Sequence, residues 1–383
     1  MDFDLSPEHA AWQRLLREFC DAEVKPFAAE VDENNSLHWD SIRKMKDVGL
    51  LGLDIPEAYG GIEIDAIGVA IAMEELGRAC GSTALSLAAH NGLGCSPIVR
   101  WGTQAQKDKY LPLLVSGNYL GALALTEPGA GSDLAGGVQT FAQDDGNAWV
   151  INGSKAWITN AGISPVITVL LRTDRDAGTN GFSMILVEPN TPGISIGKPE
   201  KKMGLKGSPT VMINFDNVRV PKDALLGTLG AGFRQTMEIL DGGRIGIGAL
   251  SIGLAQAAYE EAIRYANQRR AFGKPIIAHQ AIQWMIADAT VEIEAARLLV
   301  HQAAWLRANG RSFSKLAAMG KLKATEVAEK VCHDSIQIHG SYGYSREYPV
   351  ERIYRDQRLM SIGEGTSEIQ RMVIARRVME EFS

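Results

Sequence analysis

Trp149-Val150-Ile151-Asn152-Gly153-Ser154-Lys155-Ala156-Trp157-Ile158 is the stretch at which the chain changes period. Before it, apolar residues recur every three or four positions. Within it, β-branched and aromatic residues flank Asn-Gly, a dipeptide that supplies the positive φ values of a tight two-residue turn. The spacing predicts a hairpin turning at Asn152-Gly153. Further β-branched runs at 165–172, 182–188 and 210–220 are separated by Gly, Pro and Asn loops with no helix between them, which favours an antiparallel barrel or sandwich over βαβ units.

Upstream the pattern is helical. Ser6 is a candidate N-cap for a helix carrying Trp12, Leu15, Leu16, Phe19 and Val24 and broken at Pro26; further helices are predicted at 39–48, 66–80, 83–99 and 104–115. After 227–232 the helical period returns and holds to the last residue. Helices at 244–268, 278–308 and 315–338, with a shorter one from Ser367, are long enough to pack as an antiparallel bundle, and Glu260 with Arg264 at i, i+4 marks a solvated face. The expected organisation is a helical segment 1–120, a β segment 121–232 and a helical bundle 233–383.

The chain of 383 residues is 45% hydrophobic and 22% charged, the profile of a globular protein, and its net charge of −6 gives no support to a nucleic-acid or anionic-membrane partner. Cys20, Cys80, Cys95 and Cys332 are scattered, without CxxC pairs or metal-ligand spacing, so buried thiols in a reducing compartment and no metal site are expected. The acidic start Met1-Asp2-Phe3-Asp4 reads as neither signal nor transit sequence, and no apolar run is long enough to span a bilayer. A cytoplasmic location is the corresponding expectation.

The chemistry is sought first in Ser361-Ile362-Gly363-Glu364-Gly365-Thr366-Ser367-Glu368-Ile369-Gln370-Arg371. A carboxylate between two glycines sits on backbone that can bend sharply and approach a flat ligand closely. Ser367 and Gln370 have capping-box spacing, so Glu364 should enter on a loop just before a helix whose first N–H groups are free. A plain solvated turn is the bland alternative. Thr126-Glu127-Pro128-Gly129-Ala130-Gly131-Ser132-Asp133 misses the Rossmann glycine spacing and leaves an irregular loop whose hydroxyls and N–H groups could lie against a planar ligand. Trp157 and Thr159 share a strand face, suited either to core packing or to a ring system. Arg269-Arg270-Ala271-Phe272-Gly273 and Gln337-Ile338-His339-Gly340 read equally as helix stops. No GxSxG elbow, Walker lysine or HExxH helix is present, which removes the usual hydrolase, kinase and zincin chemistries.

Taken in order along the chain, these motifs resemble the acyl-CoA dehydrogenase family. The resemblance implies an α-domain, a β-barrel and a four-helix bundle, and FAD as cofactor. It places Leu123, Leu125, Thr126, Gly131, Ser132, Trp157 and Thr159 along the flavin, with Thr366 and Glu368 at the start of the last helix. Arg269, Phe272, Gln280, Gln337 and Gly340 would reach the FAD of a neighbouring subunit in a homotetramer. Ser132, Asp241, Arg244, Gly363, Glu364 and Gly365 would face an acyl-CoA thioester. Some relatives carry the base at the position that here is Gly243, which cannot titrate, so the role falls to Glu364. Leu123, Ser341 and Gly363 depart from the family pattern, Gly363 replacing a frequent tyrosine beside the base.

The implied reaction is α,β-dehydrogenation of a short-chain, branched or cyclic acyl-CoA, with the thioester oxygen held at the Glu364 N–H and electrons passed to an electron-transferring flavoprotein. An oxygen-using oxidase and a non-catalytic flavoprotein of the same fold are the alternatives.

Overall fold

The computed structural model describes residues 4–382; the Met1-Asp2-Phe3 start of the predicted untargeted N-terminus lies outside the described residues. The N-terminal helices are α1 (Pro7–Glu23), α2 (Ala28–Asn34), α3 (Trp39–Met45), α4 (Ala66–Ala79), α5 (Gly81–Ala88), α6 (Ser96–Trp101) and α7 (Gln104–Leu114). Their starts follow the caps in the sequence. Ser6 accepts the His9 N–H, Asp65 accepts that of Gly68, and Thr103 with Gln106 forms a capping box.

The helix expected over 83–99 is interrupted by a π-helical segment, Ala89–Cys95. Asn91 explains the wider turn: its amide donates to Leu50 O and Leu87 O and accepts from Leu53 N, tying the helix to a neighbouring loop.

Next come β1 (Ala122–Ala124), α8 (Leu134–Gly137), β2 (Phe141–Asp144), β3 (Ala148–Thr159), β4 (Ile167–Arg172), β5 (Phe182–Val187), β6 (Ile194–Ile196), β7 (Thr210–Pro221) and β8 (Leu225–Leu226). The predicted hairpin at Asn152-Gly153 is absent. β3 runs straight through it, paired with β7 from Ala148↔Pro221 to Thr159↔Thr210, with register shifts on either side of Gly153-Ser154-Lys155. Gly153 is needed for close approach, since a β-carbon there would come within 2.5 Å of Thr140 Oγ1. The tight turn lies instead at Asp145-Gly146-Asn147, where Gly146 has φ 92 and Asp145 accepts from the Ala148 N–H.

The sheet order is β6-β7-β3-β2-β4-β5-β8, with β1 beside β4. The expected antiparallel barrel is thus corrected in two respects. The end strands β6 and β8 do not pair with each other, so the sheet stays open, and β4 has parallel neighbours in β1 and β2. β1 reaches β4 through α8, β2 and β3, and β2 reaches β4 through β3, connections long enough to permit parallel pairing.

The C-terminal part is α9 (Gly232–Gln268), the short hairpin β9 (Arg270–Ala271) and β10 (Lys274–Pro275), then α10 (Gln280–Ala308), α11 (Ser314–His339), α12 (Val350–Gln357) and α13 (Ser367–Glu381). α9 begins well before the predicted 244, through glycines that propensity disfavours. Glycine is what its packing requires. A β-carbon on Gly253 would fall 2.2 Å from Glu74 O of α4, and one on Gly77 of α4 would fall 2.6 Å from Leu250 O. The N-terminal helices and the bundle therefore share one hydrophobic core.

Glu260 does not face solvent with Arg264, as predicted: it lies 3.6 Å from Arg78 and 3.8 Å from Arg17, while Arg264 pairs with Glu261. At α13 the cap is Thr366, accepting from Ile369 N, one residue before the expected Ser367, and Gln370 donates to Gly365 O at 2.9 Å, so the expected Ser367/Gln370 capping box does not form. All four cysteines are buried and free. Among the described residues no helix is long and apolar enough to cross a membrane.

Candidate active site

Glu364 sits in the turn before α13 with φ 51, followed by Gly365 at φ 89. Its Oε2 is buried and has no hydrogen-bond partner among the described residues. Its backbone N–H meets no acceptor among the described residues. Removal from water raises the carboxyl pKa above its ordinary value, and the nearby Lys321 and Arg244 cations draw it back down.

Space for this carboxylate comes from α9, where Gly243 presents no side chain and a β-carbon would collide with Oε2. Glu364 and Gly243 line a cavity whose walls include Met73, Asn91, Gly92, Ile239, Gly242 and Gly246. Two ion pairs also line it: Arg100–Glu238 at 2.9 Å and Arg307–Asp54 at 3.4 Å. Arg244 is buried, ion-paired to Asp241, and its Nε has no partner; burial lowers its pKa.

Lys321 was not legible as a site residue. It is 1% exposed, on the apolar face of α11 that Ala317, Ala324 and Ala328 complete, and its Nζ donates to Gly363 O at 2.6 Å and Gly365 O at 2.5 Å. A lysine at an i, i+3, i+4 position among alanines was the signal available in the sequence.

The loop 126–133 is held from below by a second buried lysine. Lys155, fully buried, donates to Leu125 O at 2.8 Å and to Glu127 Oε1 at 2.9 Å, and Glu127 also accepts the Gln139 and Thr140 N–H groups. Burial lowers the Lys155 pKa to about 8, with Glu127 opposing the fall. The loop is therefore an anchored object, with Thr126 half-buried, Gly131 and Ser132 exposed, and open space where a β-carbon on Gly129 or Gly131 would go.

Ala156 N donates to Thr126 O at 2.9 Å, and the next residue, Trp157, leaves regular strand geometry with φ 61 and remains 61% exposed. Thr159, two residues on, is half-buried. A large ring displayed beside an open loop of small residues, on backbone that costs energy to hold, has no explanation in the packing of this chain. A planar cofactor stacked against it supplies one, so these residues fit a flavin. Leu123 is different: its side chain is buried in the core, and Leu125 is half-buried.

A second set lies elsewhere. Arg269 sits over the Tyr342 ring, Phe272 is 94% exposed with its ring edge-on to His279, Gln280 and Gln337 are exposed, and Gly340 ends α11 at φ 60. None of the five lines the Glu364 cavity. His339 is structural, buried against Tyr265 with Nδ1 on Ser335 O. Thr366 is spent on its cap and Glu368 is exposed in the first turn of α13.

Comparison with known proteins agrees with this geometry. Residues 6–118, 122–218 and 230–379 match the N-terminal, middle and C-terminal domains of acyl-CoA dehydrogenase. The chain belongs to the acyl-CoA dehydrogenase family. It is 47% identical to the probable acyl-CoA dehydrogenase YngJ of Bacillus subtilis, over 99% of this chain and 100% of that protein. Butyryl-CoA dehydrogenase of Megasphaera elsdenii superposes with a TM-score of 0.95 at 39% identity, covering 99% of this chain and 100% of that one. An acyl-CoA dehydrogenase of Bacillus anthracis solved in complex with FAD gives a TM-score of 0.91 at 35% identity, covering 99% of this chain and 68% of that one. An acyl-CoA dehydrogenase is an oxidoreductase, and the fold seen here is that of the family.

Proposed function

We propose that this acyl-CoA dehydrogenase oxidises a short acyl-CoA across its α and β carbons, with Glu364 as the base for the α-proton. The observation that carries this reading is the buried, unpartnered Oε2 of Glu364 on the wall of the cavity. A carboxylate without a hydrogen-bond partner, in a site that disfavours its charge, is a stronger base than one in water. The free Glu364 N–H is a donor for the thioester oxygen, where negative charge grows as the α-proton leaves.

The cofactor is FAD, which when bound accepts the hydride from the β-carbon. Thr126, Gly131, Ser132, Trp157, Thr159, Thr366 and Glu368 are the groups proposed to hold it, with Leu125 and, from the core, Leu123 supporting them. Asp241, Arg244, Gly363 and Gly365, which flank Gly243 and Glu364 without lining the cavity, are proposed to support the thioester end of the site, and an electron-transferring flavoprotein is the proposed acceptor.

Arg269, Phe272, Gln280, Gln337 and Gly340 are proposed to reach a neighbouring subunit's FAD. α10 supports oligomer formation separately, because Trp284, Val291, Leu298 and Trp305 recur every seventh residue and all are exposed. Such a stripe is the seam a partner helix would cover.

Two ion pairs among so few wall residues favour a short acyl chain, since a long apolar one would have to desolvate them. Gly363 invites a wider alternative of branched or cyclic acyl groups. A β-carbon there would meet Leu359 first, at 3.7 Å, and Gly363 is not among the residues lining the cavity, which supports the simple short-chain preference. Anaerobic mixing with butyryl-, isobutyryl-, 2-methylbutyryl-, cyclohexanecarbonyl- and octanoyl-CoA, scored by flavin bleaching, tests this. Fastest bleaching by butyryl-CoA is expected; bleaching by none would remove the reading. Slow reoxidation of the bleached flavin by air excludes the oxidase alternative.

A further inference from the structure

Lys321 is a buried ammonium with no carboxylate within ion-pair distance among the described residues, unlike Lys155, which has Glu127. Its two acceptors are the carbonyls of Gly363 and Gly365, one on each side of Glu364. The first belongs to the peptide whose N–H is that of Glu364. In a trans peptide the C=O and N–H point in opposite directions, and the described chain has no cis bond. A lysine that draws Gly363 O toward α11 therefore turns the Glu364 N–H away from it, and an ammonium on the oxygen polarises that N–H into a stronger donor.

We propose that Lys321 is a positioning residue: through the 363–364 peptide it aims and strengthens the donor for the thioester oxygen, and through its charge it sets the protonation of Glu364. This rests on the reading of Glu364 as base. The charged groups facing Lys321 are Glu364 and Arg244, the latter paired to Asp241 and flanked by Arg376 and Arg377. Burial lowers the Lys321 pKa while Glu364 supports its charge, as expected for a cation kept inside by carbonyl dipoles and one nearby carboxylate.

Two variants of the FAD-loaded enzyme separate positioning from packing. Lys321→Met keeps the volume and removes donors and charge; Lys321→Gln keeps a donor without the charge. Lys321→Met is expected to lose about tenfold to a hundredfold in kcat, less than deletion of an oxyanion donor outright. Its acidic limb in the pH profile of kcat/KM should move up by about one unit, the low end of what a nearby opposite charge does to a carboxyl group. Lys321→Gln should recover part of kcat and keep the displaced limb.

Binding supplies a readout independent of turnover. Lys321→Met should weaken crotonyl-CoA, which presents a thioester carbonyl, while leaving S-butyl-CoA, a thioether without one, unchanged. Equal losses on both ligands, or a wild-type pH profile in both variants, would show that Lys321 only packs and would overturn the proposal. If Lys321→Met does not fold, Lys321→Gln carries the same pH and ligand comparisons. The base assignment fails separately: near wild-type turnover in Glu364→Gln would remove it while the carbonyl-dependent affinity still reported on the donor.

Discussion

A β-carbon added to Gly243 would stand 2.2 Å from Oε2 of Glu364. Positions 243 on α9 and 364 before α13 thus converge on one point in space, and only one of them can carry a side chain there. A carboxylate at 364 requires glycine at 243. Gly243→Ala should displace the base by about 1 Å, which costs about a hundredfold in kcat when a reacting group is misplaced. Pre-steady-state bleaching with butyryl-CoA measures it, and a variant with wild-type kcat would mean the two positions do not compete.

The pH dependence of stability follows from the same burial. The folded-state pKa of Glu364 lies above its ordinary 4.5, so the folded protein holds this proton more tightly than the unfolded chain. Its contribution is therefore complete below pH 4.5 and is lost as pH rises through the raised folded pKa. Glu364→Gln removes that loss, and its Tm relative to wild type should increase between pH 5 and pH 8. A constant difference across that window would contradict the burial of the charge.

Lys155 and Glu127 hold the loop proposed to carry the flavin. Lys155→Met leaves a buried carboxylate without its cation, a change that costs about 3–5 kcal/mol when one partner of a buried pair is removed. The expected outcome is a lowered Tm together with a lower ratio of flavin to protein absorbance after purification. Full FAD content would separate the ion pair from the cofactor site.

The apolar stripe on α10 should be covered in solution. Leu298→Glu, in the middle of Trp284, Val291, Leu298 and Trp305, is expected to reduce the mass measured by light scattering. An FAD-loaded wild-type monomer would remove both this seam and the neighbour-subunit role of Arg269 and Phe272.

The helices and most strands were legible because caps and periods are local: Ser6, the one cap read from the sequence, acts within one turn of itself, as Asp65 and Thr103 do in the structure. The misread places were those where a partner distant in sequence decides. Asn152-Gly153 has the chemistry of a turn, yet β7 and Thr140 keep it within a strand. Glu260 has the spacing of a surface pair, yet Arg17 and Arg78 draw it inward. Within the site, Glu364 stood out through its flanking glycines, while Lys321 and Lys155 did not, because their roles lie in the carbonyls they reach.

The central claim is that Glu364 takes the proton, and Glu364→Gln tests it most directly. The amide is nearly isosteric and cannot accept a proton. The variant should retain FAD, still bind butyryl-CoA, and lose at least about a thousandfold in the rate of flavin bleaching, within the range general base catalysis contributes. A Glu364→Gln enzyme that bleaches within tenfold of wild type would place the base elsewhere and contradict the account.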